Sequence, residues 1–361
     1  IMMNTQRLDK ILKKMETEGL DQMIISDPYA IYYLTGRFID PGERLLALYI
    51  NQSGKNKIFI NNLFTVPEDL GVEKFRFSDT DDYLTPLCDC VEAGKPLGID
   101  KTFAARFLIP VIDHSGASSY KVSSICIDEV RACKDDEERE KMRAVSAIND
   151  KAMAQFRGLI HEGVTEEEIA SKMLDIYKSL GADGYSFEPL VGFGANCALG
   201  HHGPDNTVLK EGDTVLFDVG CRKDGYCADM TRTFFYKKVP SEKHRAIYET
   251  VRRANAAAEA ILKPGVPLCE VDKAARQIIE DAGYGPNFTH RLGHFIGLEV
   301  HEYGDVSSAN TKVAEVGNIF SIEPGIYVEG EVGVRIEDLV LITEDGCEIL
   351  NSFSKELDIV E

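Results

Sequence analysis

The chain has 361 residues, of which 44% are hydrophobic and 28% are charged, and this composition excludes a disordered or collagen-like protein. Its length predicts two domains. The 60 acidic and 40 basic residues give a formal net charge of −20, which disfavours nucleic acid and anionic membranes as partners. No apolar run approaches the roughly 18 residues that a membrane-spanning helix requires.

Two features predict a cytoplasmic location. Residues 4–18 are heavily charged and lack the apolar segment of an export signal. The nine cysteines are an odd number in a long chain, which favours reduced thiols over a disulfide framework.

The first 130 residues alternate helical and strand-like segments, which predicts a small α/β domain. Apolar residues recur at helical spacing until Gly19 ends the first segment. No acids or histidines are grouped there in a catalytic pattern, so we expect the chemistry to lie in the rest of the chain. The β-rich runs that we interpret as strands are residues 23–26, 45–50, 58–60 and 122–127.

Residues 131–361 are predicted to form an α+β domain that contains an internal repeat. In the first half, a helical pattern over residues 137–160 precedes a helix that Thr165 and Glu168 open as a capping box. Strand patterns follow at residues 214–221 and 226–236. The same order then recurs, with helices at residues 241–262 and 269–283 and strands at residues 318–323 and 333–343.

An offset of 102 positions relates the two halves of this domain. It aligns Gly163 with Gly265, Glu168 with Glu270, and Gly181 with Gly283. A duplicated helix–helix–strand unit can join its two sheets around a pseudo-twofold axis. We therefore expect a site at the junction that draws its residues from both copies.

Four acids interrupt apolar, strand-like runs in this domain: Asp218, Asp229, Glu323 and Glu337. A buried carboxylate requires a cation or a proton. Together with a histidine such as His294, this set favours hard or borderline divalent ions. Four carboxylates carry more charge than one such ion balances, so the pattern predicts two ions about 3.5–4 Å apart.

The motifs around these acids resemble those of the pita-bread metallopeptidase family (M24), which includes methionine aminopeptidase, aminopeptidase P, Xaa-Pro dipeptidase (prolidase) and creatinase. The matching motifs are GHHGP, FDVG, HRLGH, EVHE, FSIEPG and RIEDLV. The earlier YAIYYLTG and LGID segments are similar to the creatinase-type N-terminal domain. The resemblance covers the whole chain and implies a creatinase-like α/β domain at residues 1–130 and a pseudo-twofold pita-bread catalytic domain at residues 131–361.

The resemblance also implies a ligand set for two divalent metal ions. Asp218 would chelate one ion, Asp229 and Glu337 would bridge both, and His294 and Glu323 would complete the second. Mn²⁺ is the first expectation. Co²⁺, Zn²⁺ and Fe²⁺ are alternatives, because carboxylate-rich sites accept several divalent ions.

Catalytic and substrate-binding roles follow from the same resemblance. His201 and His301 match histidines that contact the substrate and the tetrahedral intermediate, and Glu323 matches the proton relay. His290 and Arg335 match positions on the substrate side of the metal site. The sequence leaves open whether His201 or the adjacent His202 is the active histidine.

The implied function is dinuclear metal-dependent hydrolysis of Xaa-Pro bonds by a dipeptidase that forms a homodimer. Aminopeptidase P activity on longer peptides is the alternative, because HEYGDVSSAN lacks the arginine with which some prolidases bind the dipeptide carboxylate. A silent binding protein on this scaffold and a non-peptidase with a metal-free site are two further alternatives. Retention of all five ligands disfavours both of them.

Overall fold

The computed structural model describes residues 3–200 and 202–361, and the chain divides into two compact units with a boundary between Arg131 and Ala132. None of the described helices combines the length and the apolar character that crossing a membrane would require.

The N-terminal unit is an α/β domain built on a six-stranded sheet, as the alternating pattern predicted. The strands β1–β6 are Gln22–Ile25, Leu46–Asn51, Lys57–Asn61, Glu73–Phe77, Pro96–Ile99 and Ser119–Val122. The helices α1–α5 are Thr5–Thr17, Pro28–Thr35, Leu84–Cys90, Ala105–His114 and Ile125–Ala132. In the strand order β4-β3-β2-β1-β5-β6, β1 runs antiparallel to β2 and parallel to β5.

The predicted strand over residues 122–127 is wrong. The strand ends at Val122, and helix α5 follows. Helical spacing explains the difference, because Cys126, Ile127 and Val130 are all buried on one face of α5. The edge strand Ser119–Val122 was missed because it is largely exposed and has no apolar alternation.

The C-terminal unit contains the predicted repeat of helix pairs. Helices α6–α9 are Asp136–Arg157, Glu166–Ser179, Glu242–Ile261 and Leu268–Asp281. The bounds of α7 and α9 differ by the 102 positions found in the sequence. Thr165 and Glu168 form the predicted capping box at the start of α7. Gly163 and Gly265 both adopt the left-handed conformation, with φ of 78° and 88°.

The strands of this unit form sheets between and beside the helix pairs. Strands β7–β13 are Gly184–Tyr185, Leu190–Phe193, Thr214–Val219, Cys221–Lys223, Tyr226–Cys227, Met230–Tyr236 and Gly293–Phe295. Strands β14–β20 are Glu302–Val306, Ile319–Ile322, Gly325–Val328, Val332–Arg335, Asp338–Ile342, Cys347–Ile349 and Ile359–Val360. The larger sheets have the orders β20-β12-β9-β8 and β14-β13-β15-β18-β19.

Three predicted strands are interrupted at the residues that matter for the site. The pattern over residues 333–343 divides into β17 and β18, which belong to different sheets, and Glu337 lies between them. The pattern over residues 226–236 divides likewise, with Asp229 between β11 and β12. Strand β9 ends at Val219, and the next residue is Gly220, where a Cβ would lie 2.0 Å from the carbonyl oxygen of Ala228. The chain changes sheet at these breaks, which period-2 alternation could not indicate.

Candidate metal centre

The two repeats meet at strands that carry or flank the four acids. Asp218 on β9 pairs with Thr231 on β12, and Asp229 directly precedes β12. The backbone N–H of Glu337, from the second repeat, donates to the carbonyl oxygen of Thr231 at 3.1 Å. This hydrogen bond joins the two halves at the position where Asp229 and Glu337 come together.

The side chains of the predicted ligand set converge. The Nε2 atom of His294 lies 3.5 Å from Oδ2 of Asp229 and 3.5 Å from Oε1 of Glu323. Asp229, His294 and Glu337 each offer one ligand atom within 4.8 Å of the others, and all three are buried. This arrangement gathers carboxylate and imidazole donors in the combination that divalent ions prefer.

The chemistry of these donors fits bound cations. Oδ1 of Asp218 and Oδ1 of Asp229 are buried and accept no hydrogen bond from the described residues. Burial raises the pKa values of Asp229 and Glu337 well above their usual range, and the neighbouring carboxylates raise them further. Buried carboxylate oxygens that accept no hydrogen bond are unfavourable, and bound cations would supply the missing partners.

Arg335 links Asp218 to the ligands of the second repeat. Its guanidinium donates to Oδ2 of Asp218 at 2.5 Å, to Oγ1 of Thr231 at 3.0 Å and to the hydroxyl of Tyr327 at 2.9 Å. Thr231 in turn donates to Oε2 of Glu337 at 2.7 Å. Arg335 is 6% exposed, so it contacts these side chains from inside the protein.

Hydrogen bonds of the ring nitrogens fix the tautomers of His290 and His294. Nδ1 of His294 lies 3.3 Å from the carbonyl oxygen of Phe295, which can only accept, so Nδ1 carries the proton and Nε2 faces the carboxylates. Nδ1 of His290 donates in the same way to the carbonyl oxygen of Arg291 at 2.7 Å. Burial lowers the pKa of His290, and its Nε2 accepts from the hydroxyl of Tyr327 at 2.8 Å.

His301 lies beside the ligand set on the exposed side. Its ring centroid is 4.2 Å from that of His294. Partial burial, followed by the nearness of His294, lowers the pKa of His301 to about 4. The imidazole of His301 is therefore neutral at pH 7 and retains an N–H to donate.

The predicted active histidine, His201, lies outside the described residues. Its neighbour His202 is bound within the protein, because its Nε2 lies 2.5 Å from Oε2 of Glu166. Glu166 is fully buried and also accepts from the backbone N–H of Phe193 and from the side chain of Asn196.

Sequence reasoning missed Glu166 and two other buried charges. Glu166 stands in an acidic first helical turn, where acids are ordinary and give no signal. Arg232 and Asp338 form an ion pair of 2.6 Å at 1% and 0% side-chain exposure. Arg232 also donates to the carbonyl oxygen of Glu337 at 2.6 Å, which fixes the backbone of this predicted ligand.

Two sequence profiles cover most of the chain. The profile of Metallopeptidase family M24 matches residues 140–344, and the profile of the Creatinase/Prolidase N-terminal domain matches residues 7–133.

The chain belongs to metallopeptidase family M24. This M24 member is thus a hydrolase that acts on peptides, in a family that uses divalent metal ions. An uncharacterized peptidase of Staphylococcus saprophyticus is 37% identical to it over 354 residues, which span 97% of this chain and 100% of that protein.

Solved structures confirm the pita-bread fold for this M24 member. A dipeptidase from Pyrococcus horikoshii OT3 is 34% identical and has a TM-score of 0.91, over 98% of this chain and 100% of that one. An Xaa-Pro dipeptidase from Bacillus anthracis is 26% identical and also has a TM-score of 0.91, over 99% of both chains. The predicted family and the predicted fold are both confirmed.

Proposed function

We propose that this protein is a dinuclear metal-dependent Xaa-Pro dipeptidase. The observation that carries the proposal is the convergence of Asp229, His294 and Glu337, with Glu323 and Asp218 completing the set from both repeats. Similarity to dipeptidases and to an Xaa-Pro dipeptidase over nearly the whole chain supports the substrate class.

Five residues would hold the two ions. Asp218 would chelate one, Asp229 and Glu337 would bridge, and His294 with Glu323 would complete the second. Bound divalent ions supply Lewis-acid polarisation of the peptide carbonyl and a water of lowered pKa. Mn²⁺ is the ion that we propose first.

Glu323 is the residue that we assign to proton transfer. Its Oε1 accepts from the hydroxyl of Ser321 at 3.0 Å, which fixes one oxygen and leaves the other to exchange a proton. Its side chain is 16% exposed, whereas that of Asp229 is 6% exposed, so Glu323 is the carboxylate that substrate reaches more readily.

We assign to His301 the hydrogen bond to the developing oxyanion. Its neutral imidazole retains an N–H, and its ring lies over the edge of the ligand set next to His294. The corresponding role of His201 stays a prediction. The engagement of His202 by Glu166 favours His201 as the active member of the pair.

The peptide carboxylate needs a cation that remains accessible. Arg291 adjoins His290, and its side chain is 41% exposed, whereas Arg335 is buried against Asp218. We therefore assign Arg291 to the dipeptide carboxylate and Arg335 to ligand orientation. An X–Pro bond lacks a scissile N–H, so no acceptor for one is required.

The decisive experiment compares ligand variants with a matched control. Asp229→Asn and His294→Ala should abolish hydrolysis of an Xaa-Pro dipeptide and reduce bound metal well below the wild-type stoichiometry. Asp345→Asn, at an exposed acid, should leave both unchanged. Normal turnover by either ligand variant would overturn the assignment.

Aminopeptidase P activity is the second candidate, since the arginine after the HE motif is missing. Rates on an Xaa-Pro dipeptide and on an Xaa-Pro-Yaa tripeptide separate the two. Faster cleavage of the tripeptide, unaffected by Arg291→Gln, would favour aminopeptidase P. The homodimer and the cytoplasmic location stay predictions, and light scattering of the purified protein tests the first.

A further inference from the structure

A buried ion pair lies next to the turn that carries His301. Nζ of Lys134 donates to Oε2 of Glu302 at 2.7 Å, and the two side chains are only 1% and 4% exposed. Neither residue belongs to the ligand set. Burying two charges is unfavourable unless further bonds use the remaining atoms, so the other contacts of this pair are informative.

Glu302 ties the two ends of the turn together. Its second oxygen, Oε1, accepts from the backbone N–H of Leu298 at 2.9 Å. From the opposite side, Arg222 donates to the carbonyl oxygen of Leu298 at 2.9 Å. Gly297 admits the ion pair, because a Cβ there would lie 2.8 Å from Oε1 of Glu302 and 2.9 Å from Cε of Lys134.

The strand after the turn is fixed as well. Phe295 pairs with Glu302 and His294 pairs with Asp305, which leaves two extra residues in β14 as a bulge. Gly304 in this bulge has φ of 110°, and a Cβ there would lie 2.7 Å from the ring of Phe295. The backbone is therefore constrained on both sides of His301.

His301 stands in a bend directly before β14, which begins at Glu302. The Glu302 side chain is buried against Lys134, whereas the adjacent His301 is exposed, and its ring centroid lies 4.2 Å from that of His294. Anchoring Glu302 thus constrains the backbone that carries His301.

We propose that Lys134 and Glu302 are positioning residues that hold His301 in place for the substrate. The inference rests on the proposed function, in which His301 donates to the developing oxyanion. Small misplacements of such a donor reduce the rate strongly. Because Glu302 directly follows His301 in the chain, we expect its effect on turnover to pass through His301.

A double-mutant cycle tests this coupling. Glu302→Gln should lower kcat/KM for an Xaa-Pro dipeptide at least about tenfold in the wild-type background, mainly through kcat. In the His301→Ala background the same substitution should lower it less than about twofold. Equal losses in both backgrounds would show a general structural role and overturn the proposal.

A second variant tests the proposal if Glu302→Gln fails to fold. Gly297→Ala displaces the pair without removing a charge and should show the same dependence on His301. Arg143→Gln, which breaks the separate ion pair with Glu348, is the matched control and should leave kcat/KM within about twofold. A His301-independent loss in Gly297→Ala would contradict the proposal.

An NMR measurement separates this proposal from the proposed function. In metal-free protein, the imidazole signal of His301, identified by its absence in His301→Ala, should shift on Glu302→Gln, while that of His290 stays in place. An unmoved His301 signal overturns the positioning role. Wild-type protein that cleaves no Xaa-Pro dipeptide overturns the proposed function, and the NMR result still decides the positioning role.

Discussion

Asn149 and Asn255 lie on the first helices of the two repeats, 106 positions apart, and make the same type of bond. Asn149 on α6 donates to the carbonyl oxygen of Val219 at 3.1 Å, one residue after Asp218. Asn255 on α8 donates to the carbonyl oxygen of Ile322 at 3.0 Å, one residue before Glu323. Each long helix thus holds a ligand-bearing strand through one fully buried amide.

We expect Asn149→Ala and Asn255→Ala to lower the free energy of unfolding by about 1–3 kcal/mol each, because a buried carbonyl loses its donor. Asn149→Ala also removes the acceptor of the Tyr177 hydroxyl, which lies 2.5 Å from Oδ1 of Asn149. Urea denaturation measures the effect. Asn206→Ala, at an exposed position, is the control, and equal stability of all variants would contradict the expectation.

Arg335→Lys should lower kcat/KM at least about tenfold, because a lysine cannot replace the guanidinium that binds Asp218, Thr231 and Tyr327 together. Steady-state kinetics with metal analysis distinguish misoriented ligands from lost ions. Arg143→Lys serves as the control at a partly exposed ion pair. Full activity of Arg335→Lys would show that ligand orientation does not depend on this network.

We expect the free energy of unfolding to decrease as the pH rises, because of Glu259. Burial, with Asp338 nearby, raises the pKa of Glu259 to about 7 from its ordinary value near 4.5. A raised carboxyl pKa stabilises the fold fully below pH 4.5, and this contribution disappears as the pH rises through about 7. The total is on the order of 3 kcal/mol.

Thermal unfolding between pH 4.5 and 8 checks this sign. Glu259→Gln cannot ionise, so its stability should decline less with pH than that of the wild type. Lys355, which donates to both oxygens of Glu259, is retained in both proteins. Parallel pH profiles for the two proteins would assign the titration to another group.

Thiol reactivity should divide the nine free cysteines. Burial raises the pKa of Cys126 to about 11 and those of Cys197, Cys221 and Cys227 to about 12. These four should react with a disulfide reagent at pH 8 only after unfolding, whereas the partly exposed Cys269 reacts in the native protein. Loss of one fast thiol in Cys269→Ser confirms the assignment, and fast reaction of Cys221 would contradict it.

The sequence indicated which acids lie close together, because each stands in an apolar, strand-like run, where burial without a partner is unfavourable. It also predicted the helix pairs, since capping boxes and turn glycines are local signals. The supporting pairs could not be predicted. Lys134 and Glu302 are 168 positions apart, and Arg232 and Asp338 are 106 apart, so only the fold brings these charges together.

Asp229 and Glu337, which we propose bridge the ions, come from different repeats, and a backbone hydrogen bond from Glu337 to Thr231 marks the junction. Ions bound between these two acids would hold the two repeats together in addition to taking part in the reaction. Removal of the ions would weaken the contact between the repeats and make the chain at this junction more susceptible to proteolysis. Divalent-ion supply would then govern how long the enzyme survives as well as how fast it works.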